Sequence, residues 1–142
     1  MDMAKIQKYL QKVDLFKGLM PEDMVKIFSK GLTMNCCKGE VIFYKGTEGN
    51  KMYVVLGGKV GVFEGQKCIA TLLPGDSFGE MALVNKEPRS ATVIALEDSY
   101  LFVLNETTFE HLMTKRVAIR ILFNIIGTLS KRLKESNLRL IN

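Results

Sequence analysis

The sequence of 142 residues is poor in the residues on which metalloenzymes, secreted proteins and membrane proteins depend. It has a single histidine, His111, so it offers no histidine pair for zinc or iron. Its three cysteines, Cys36, Cys37 and Cys68, leave a free thiol in any pairing scheme, which suits a reducing compartment. No apolar run approaches the roughly 20 residues of a membrane span, and no signal-peptide core is present. These absences predict a cytoplasmic protein without a membrane span and without a histidine-based metal site.

What is present is an ordinary globular composition with an uneven charge. Apolar residues make up 47% of the sequence and charged residues 25%, which is enough for one domain with its own core over residues 1–142. Residues 115–142 carry seven Lys and Arg against Glu135 alone, a balance of +6, whereas residues 1–114 have a balance of −1, which together give the net charge of +5. A basic segment can meet nucleic acid, a membrane surface or an acidic partner, but a solvated helix face is the simpler interpretation. Nucleic acid is therefore not expected as a partner.

The hydrophobic pattern changes twice along the chain. Residues 1–31 have helical periodicity, weak over residues 3–12 and clearer in a helix that begins at Pro21. Residues 32–104 alternate short apolar runs with glycine-containing turns every 8–12 residues or so, which is typical of an all-β sandwich or barrel. The pairs Gly57-Gly58 and Gly65-Gln66 indicate hairpin turns.

After the strands the pattern becomes helical again over residues 105–142. Asn105 is a good N-cap, and a long helix is predicted from Val117 to about Leu140. Its apolar stripe is close to a heptad pattern and comprises Ala118, Leu122, Ile125, Leu129 and Leu133. The stripe fits either packing on the strands or a homodimer seam, and the pattern does not decide between them.

The segment 78–93 carries the residues with chemistry. Gly79 allows the backbone to approach a ligand closely, and the residues after it can form a short helical turn whose N–H groups hold an anion. Arg89 stands just before a predicted strand, where its planar guanidinium can clamp phosphate oxygens. Glu80 can accept hydrogen bonds from a pair of sugar hydroxyls. The residues predict a pocket for a small ligand that has a phosphate and sugar hydroxyls.

The stretch Phe78-Gly79-Glu80, Ala82-Leu83 and Arg89-Ser90-Ala91-Thr92-Val93 resembles the phosphate-binding cassette of cyclic-nucleotide-binding domains. The resemblance extends over nearly the whole chain, through segments such as Lys38-Gly39-Glu40 and Leu73-Pro74-Gly75-Asp76. It implies a mainly β fold: an eight-stranded antiparallel jelly-roll β-barrel with N-terminal helices and a long C-terminal helix.

The resemblance also implies a role for each residue of the site. Glu80 would bind the ribose 2′-hydroxyl, Arg89 the cyclic phosphate, and backbone N–H groups near Ala82 and Ser90 would complete the phosphate cradle. Apolar barrel residues would contact ribose and purine. Further along, Arg132 would lie near Glu80, and Ser136 and Asn137 would contact the adenine edge. The full set of expected ligand-binding residues is Phe78, Gly79, Glu80, Met81, Ala82, Arg89, Ser90, Ala91, Val93, Arg132, Ser136 and Asn137.

As a function, the resemblance implies a non-enzymatic regulatory sensor in which a bound cyclic nucleotide repositions the C-terminal helix and acts on an effector protein that the sequence does not identify. Ser90 favours cAMP over cGMP, because a threonine after the cassette arginine goes with cGMP in the family. No cofactor and no metal are expected. The alternative is a family member that binds no nucleotide and serves as a protein-interaction module. A cupin-type enzyme would need a metal-binding histidine pair, which the sequence lacks.

Overall fold

The computed structural model describes residue 8 and residues 13–83, 85, 87–112 and 115–141. The helix predicted over residues 3–12 lies, except for Lys8, outside the described residues. In the continuous stretch that starts at residue 13, the first element is a 3-10 turn at Asp14–Phe16, and helix α1 follows at Pro21–Lys30. Pro21 occupies the first turn of α1, where its missing N–H costs no hydrogen bond, and Glu22 and Asp23 lie at the positive end of the helix dipole. The predicted start at Pro21 is confirmed, and Gly31 caps the end of the helix.

Eight strands follow, and they form two four-stranded antiparallel sheets. The strands are β1 Leu32–Cys36, β2 Val41–Phe43, β3 Lys51–Gly57, β4 Val60–Glu64, β5 Lys67–Leu72, β6 Ser77–Phe78, β7 Thr92–Ala95 and β8 Ser99–Asn105. One sheet has the order β1-β8-β3-β6 and the other the order β2-β7-β4-β5. The jelly-roll prediction is confirmed in this two-sheet form. The closed barrel is wrong, because no strand pairing joins the edges of one sheet to those of the other among the described residues.

The two predicted hairpin turns have different outcomes. Gly65-Gln66 joins β4 to β5, where Glu64 faces Lys67 across a tight hairpin, as predicted. Gly57-Gly58 joins β3 to β4, which belong to different sheets, so it is a crossing between sheets rather than a hairpin. A local glycine signal marks a reversal of direction but does not say which strand will pair with which.

The sheet that contains β3 and β8 is buried on both of its faces. On one face, Met52, Val54 and Leu56 pack with the helices in a helix-side core, whereas Tyr53 and Val55 face the second sheet in an inter-sheet core. The alternation follows from the period of two residues in a strand. Strand β3 is therefore apolar at every central position, and the site described below lies at the inter-sheet side.

Two helices complete the fold, α2 at Glu106–Leu112 and α3 at Lys115–Ile141. The Asn105 side chain accepts a hydrogen bond from the Thr108 N–H at 2.7 Å, which confirms the predicted N-cap. Helix α3 begins slightly earlier than predicted and packs its first half on the helix-side core through Val117, Ile121 and Ile125. Among the residues that the structure describes, no helix is both long enough and apolar enough to span a membrane.

The predicted apolar stripe lies on one face of α3, but only part of that face is buried. Ile125 is buried, Leu129 is half-buried, and Leu122 and Leu133 are exposed. The buried face is centred to one side of the stripe, on Val117, Ile121 and Ile125 at intervals of four residues, so Leu122 and Leu133 lie beyond its edge. The large apolar side chains exposed on α3 are Ile119, Leu122, Phe123, Ile126 and Leu133, and two of them belong to the predicted stripe.

Candidate functional site

The cassette segment forms a short 3-10 helix at the end of β6. Gly79 has a φ of 74°, in the left-handed region that favours glycine, and the 3-10 helix Glu80–Leu83 begins directly after it. Within this turn the Ala82 N–H donates to the Gly79 carbonyl at 3.1 Å, because 3-10 geometry bonds each residue to the third one before it. The predicted helical turn is therefore present, but the Ala82 amide, expected as a free donor, has an acceptor inside the turn.

A cavity of about 410 Å³ lies between the cassette, the second sheet and α3. Every predicted site residue lines it except Ser136 and Asn137. The cavity has further lining residues that the sequence did not single out: Phe43, Val62, Ala70, Leu72, Glu87, Pro88 and Leu129. Its volume suits a ligand of roughly mononucleotide size.

Glu80 is a buried carboxylate at the start of the cassette turn. Its exposed fraction is 3%, and its Oε1 accepts a hydrogen bond from Arg132 Nη1 of α3 at 2.7 Å. Arg132 also donates from Nη2 to the Ser77 carbonyl at 3.3 Å. The second carboxylate oxygen, Oε2, is buried and has no hydrogen-bond partner among the described residues. The structure thus brings Arg132 and Glu80 together and leaves one carboxylate oxygen as an available acceptor.

Arg89 is a buried cation on the other side of the cavity, with an exposed fraction of 9%. Its Nη2 donates to the Lys51 carbonyl at 2.7 Å, and its Nη1 makes a longer contact of 3.4 Å with the Gly79 carbonyl. The guanidinium carbon lies 4.1 Å from the ring centroid of Phe43, a cation–π arrangement. The Nε atom is buried and unpartnered within the described part of the chain. Backbone carbonyls and an aromatic face hold the group, and neither of them neutralises its charge.

The electrostatics of this side of the cavity follow from burial. Burial lowers the pKa of the Arg89 guanidinium and raises the pKa of the Tyr53 hydroxyl, because desolvation disfavours the charged form of each. The positive charge of Arg89 opposes the shift at Tyr53. The ion pairs found among the described residues do not include Arg89. A desolvated cation without a carboxylate partner attracts an anion into the cavity.

The remaining lining of the cavity is apolar apart from Glu87 and Ser90. Tyr53 and Phe78 stack with their ring centroids 5.0 Å apart, and Phe43 lies 6.0 Å from each. Ala70 and Leu72 of β5, two residues apart, contribute to the cavity lining. The period-two alternation of β5 could have identified these two residues, whereas Leu129 of α3 depends on how the helix crosses the sheets.

Ser136 and Asn137 are exposed on α3 and lie outside the cavity lining. Ser136 follows Arg132 by one helical turn and shares its side of the helix, but Asn137 follows by five residues and lies on another side. In this helix position neither side chain belongs to the cavity. Their contact with a purine edge stays a prediction.

Comparison with known proteins identifies relatives of the chain. A family model described as the cyclic nucleotide-binding domain matches residues 33–116, which include Glu80 and Arg89. The chain is 36% identical over 131 residues to the Cyclic AMP receptor protein of Thermus thermophilus, covering 89% of this chain and 60% of that protein. It is 32% identical over 107 residues to the cAMP-dependent protein kinase regulatory subunit of Hypocrea atroviridis, covering 75% of this chain and 23% of that subunit. It thus spans less than two thirds of either relative.

Solved structures agree with the fold. The crystal structure of the Thermus thermophilus Catabolite Activator Protein matches with a TM-score of 0.78 and 34% identity, covering 89% of this chain and 61% of that chain. A cyclic nucleotide-binding domain from Methylobacillus flagellatus matches with a TM-score of 0.84 and 22% identity, covering 97% of this chain and 82% of that chain. At that identity the second match supports the fold alone.

Proposed function

Since the chain belongs to the cyclic nucleotide-binding domain family, we propose that it binds a cyclic nucleotide, with cAMP preferred, as a regulatory sensor module rather than an enzyme. One observation carries the proposal. The two buried side-chain polar atoms without a partner among the described residues are Arg89 Nε and Glu80 Oε2, one donor and one acceptor that both belong to cavity-lining residues. Buried polar groups are normally satisfied, so this pair indicates a ligand that presents an anionic oxygen and a hydroxyl together. A cyclic phosphate fused to a ribose has both.

The preference for cAMP rests on two weaker supports. Ser90 follows the cassette arginine, and a serine at that place goes with cAMP in the family. The relatives named above are a Cyclic AMP receptor protein and a cAMP-dependent protein kinase regulatory subunit. Asn137, a residue predicted at the purine edge, can hydrogen-bond either purine, so cGMP is the competing ligand in the titration below.

Helix α3 provides the output of the sensor. Arg132 joins α3 to Glu80, the same carboxylate that we assign to the ribose hydroxyl. A nucleotide that hydrogen-bonds to Glu80 changes the partner of Arg132 and so favours one helix position over another. Saturating nucleotide should change amide hydrogen exchange around residues 129–137, and Arg132→Gln should remove most of that change while nucleotide still binds. Unchanged exchange on saturation would contradict the helix repositioning.

The exposed face of α3 supports a homodimer as the partner. Ile119, Ile126 and Leu133 are exposed and follow one another at intervals of seven residues, with Leu122 and Leu129 at the complementary heptad positions. We expect self-association in sedimentation equilibrium and its loss in Ile126→Lys. A chain that stays monomeric at high concentration would contradict the homodimer and would favour an effector protein as the partner of this face.

The decisive experiment is calorimetric titration of cAMP and cGMP into nucleotide-stripped protein. Removing the Arg89 charge would leave a buried phosphate unpaired, so Arg89→Ala should cost about 3–5 kcal/mol of binding free energy, roughly two to three orders of magnitude in affinity. Lys17→Ala is the charge-matched control, because Lys17 forms an exposed ion pair with Asp14 that does not belong to the cavity.

The alternative function is a protein-interaction module that keeps the cassette without binding nucleotide. It would give no heat with either nucleotide and an unshifted melting temperature, since a ligand that binds the folded state raises that temperature. That result would contradict the sensor function and support the protein-interaction module.

A further inference from the structure

The chain between β2 and β3 forms a backbone cradle around Arg89. The Arg89 N–H donates to the Thr47 carbonyl at 2.8 Å, and the Gly46 N–H donates to the Arg89 carbonyl at 2.8 Å. At the end of the same segment the Lys51 carbonyl accepts from Arg89 Nη2 at 2.7 Å. We call the segment Gly46–Lys51 the Arg89 seat. It fixes the backbone of Arg89 at one end and its guanidinium at the other.

Gly49 stands in the middle of the Arg89 seat, directly against the guanidinium. A Cβ atom at Gly49 would lie 2.1 Å from Arg89 Nε, 2.3 Å from its Cζ and 2.4 Å from its Nη2. Real Cβ contacts are essentially never shorter than 3.0 Å, so any side chain there would displace the guanidinium by nearly an ångström. A displacement of that size would disturb the contacts of the guanidinium with the Lys51 carbonyl, at 2.7 Å, and with the Phe43 ring, at 4.1 Å.

The reason for glycine at position 49 is therefore steric. Gly49 does not have a positive φ, so alanine could adopt its backbone conformation without strain. This distinguishes it from Gly79, whose φ of 74° would strain any substitution whatever the space around it. Gly49 is also absent from the cavity lining. Whatever it contributes to a bound ligand must act through Arg89.

We infer that Gly49 is a positioning residue for the anion site: the space left by its missing side chain is where the Arg89 guanidinium sits. The inference rests on the proposed function as far as nucleotide affinity is concerned, but the steric relation between Gly49 and Arg89 is independent of any ligand. A substitution at Gly49 should therefore act on affinity and on stability through the same guanidinium.

The test is a double-mutant cycle in the full chain with cAMP as the probe. Gly49→Ala should weaken cAMP binding by about tenfold or more, the coupling expected of residues in direct contact. In the Arg89→Lys background, which lacks the forked head, the same substitution should change affinity by less than about twofold. Gly127→Ala is the control, since a Cβ at Gly127 meets nothing within 4 Å, and it should leave affinity unchanged. Equal losses in both Arg89 backgrounds, or native affinity in Gly49→Ala, would overturn the inference.

Denaturant unfolding separates this inference from the proposed function. If the native chain binds no nucleotide, the proposed function fails, but Gly49→Ala should still lower stability more in the native background than in Arg89→Ala, where the clash is absent. Equal destabilisation in the two backgrounds would overturn the steric role. Where Gly49→Ala alone does not fold, recovery of folding in the Gly49→Ala/Arg89→Ala double variant supports the inference, and failure to recover overturns it.

Discussion

The two cores on either face of the β3–β8 sheet differ in what they bury. The helix-side core is a cluster of apolar side chains from both helical segments and one sheet, including Phe102, Leu104 and Ile121 at 0% exposure. The inter-sheet core has an apolar cluster of its own, but it borders a cavity where Glu80 and Arg89 are buried with unpartnered atoms. Apolar burial stabilises a fold, whereas buried and unsatisfied charge costs stability and provides specificity. Stability and recognition are thus assigned to opposite faces of one sheet.

The largest expected effect tests the helix-side core. Phe102 has 0% exposure and stacks on Phe28 with ring centroids 5.8 Å apart. Phe102→Ala should lower the free energy of unfolding by about 3–5 kcal/mol, through lost burial and the cavity left behind. Denaturant unfolding measures the loss, and Phe123→Ala, at a side chain that is 64% exposed, serves as the control. The folded fraction should keep its nucleotide affinity; a large affinity loss would break the separation between the two cores.

A smaller effect tests the inter-sheet core away from the cavity. Burial raises the pKa of the Cys36 thiol to about 11, helped by a hydrogen bond that the protonated thiol donates to the Glu40 carboxylate. Because the unfolded thiol ionises at lower pH than the folded one, Cys36 stabilises the fold below pH 9 and loses that contribution between about pH 9 and 11, on the order of 2 kcal/mol. Measured across this pH range, the free energy of unfolding should fall more steeply in the native chain than in Cys36→Ala.

The exposed neighbour Cys37 supplies the control for the pH experiment. Cys37→Ala should keep most of the decline of stability with pH, because the charge interaction with Cys37 is the smallest of the causes that raise the Cys36 pKa. A native chain whose stability declines no more steeply than that of Cys36→Ala would mean that this part of the inter-sheet core is hydrated, and would extend the polar character of the cavity further between the sheets.

The smallest expected effect tests the cavity itself. Glu80→Gln keeps the size of the side chain but offers a neutral oxygen to a ligand hydroxyl, so nucleotide affinity should fall by about tenfold. Stability should change by less than about 1 kcal/mol, because Arg132 is half exposed and can be solvated. Calorimetry and denaturant unfolding measure the two effects. Glu64→Gln, at an exposed ion pair with Lys45, should change neither.

Much of the fold could be predicted from the sequence, but whether the two sheets close into a barrel could not. Short apolar runs separated by glycine-containing turns predicted the strands, and Pro21 and Asn105 predicted helix starts that the structure confirms. The closed barrel and the hairpin at Gly57-Gly58 were wrong, because sheet closure and strand partners depend on long-range pairing that local patterns do not encode.

The site likewise contains residues that could be predicted from the sequence and residues that could not. The cassette lies on one short segment that resembles a known family motif, and the structure brings its residues together around the cavity. Gly49 and Phe43 escaped notice, because their relation to Arg89 joins segments some forty residues apart along the chain. No single-sequence signal marks a glycine that is needed for the side chain of a distant residue. For a related reason, the sequence did not predict which apolar residues of α3 would be buried, because the buried side of a helix depends on how it packs on the rest of the fold.

The way Arg89 is held has a kinetic consequence. A free arginine side chain loses up to about 2 kcal/mol of conformational entropy when it is fixed in one rotamer. Here the Phe43 ring and the Lys51 carbonyl already hold the guanidinium. The side-chain entropy of Arg89 is therefore lost when the chain folds rather than when a ligand binds. A preorganised cation needs no rearrangement to meet an anion, so variants that loosen it should change the residence time of the ligand more than its rate of arrival.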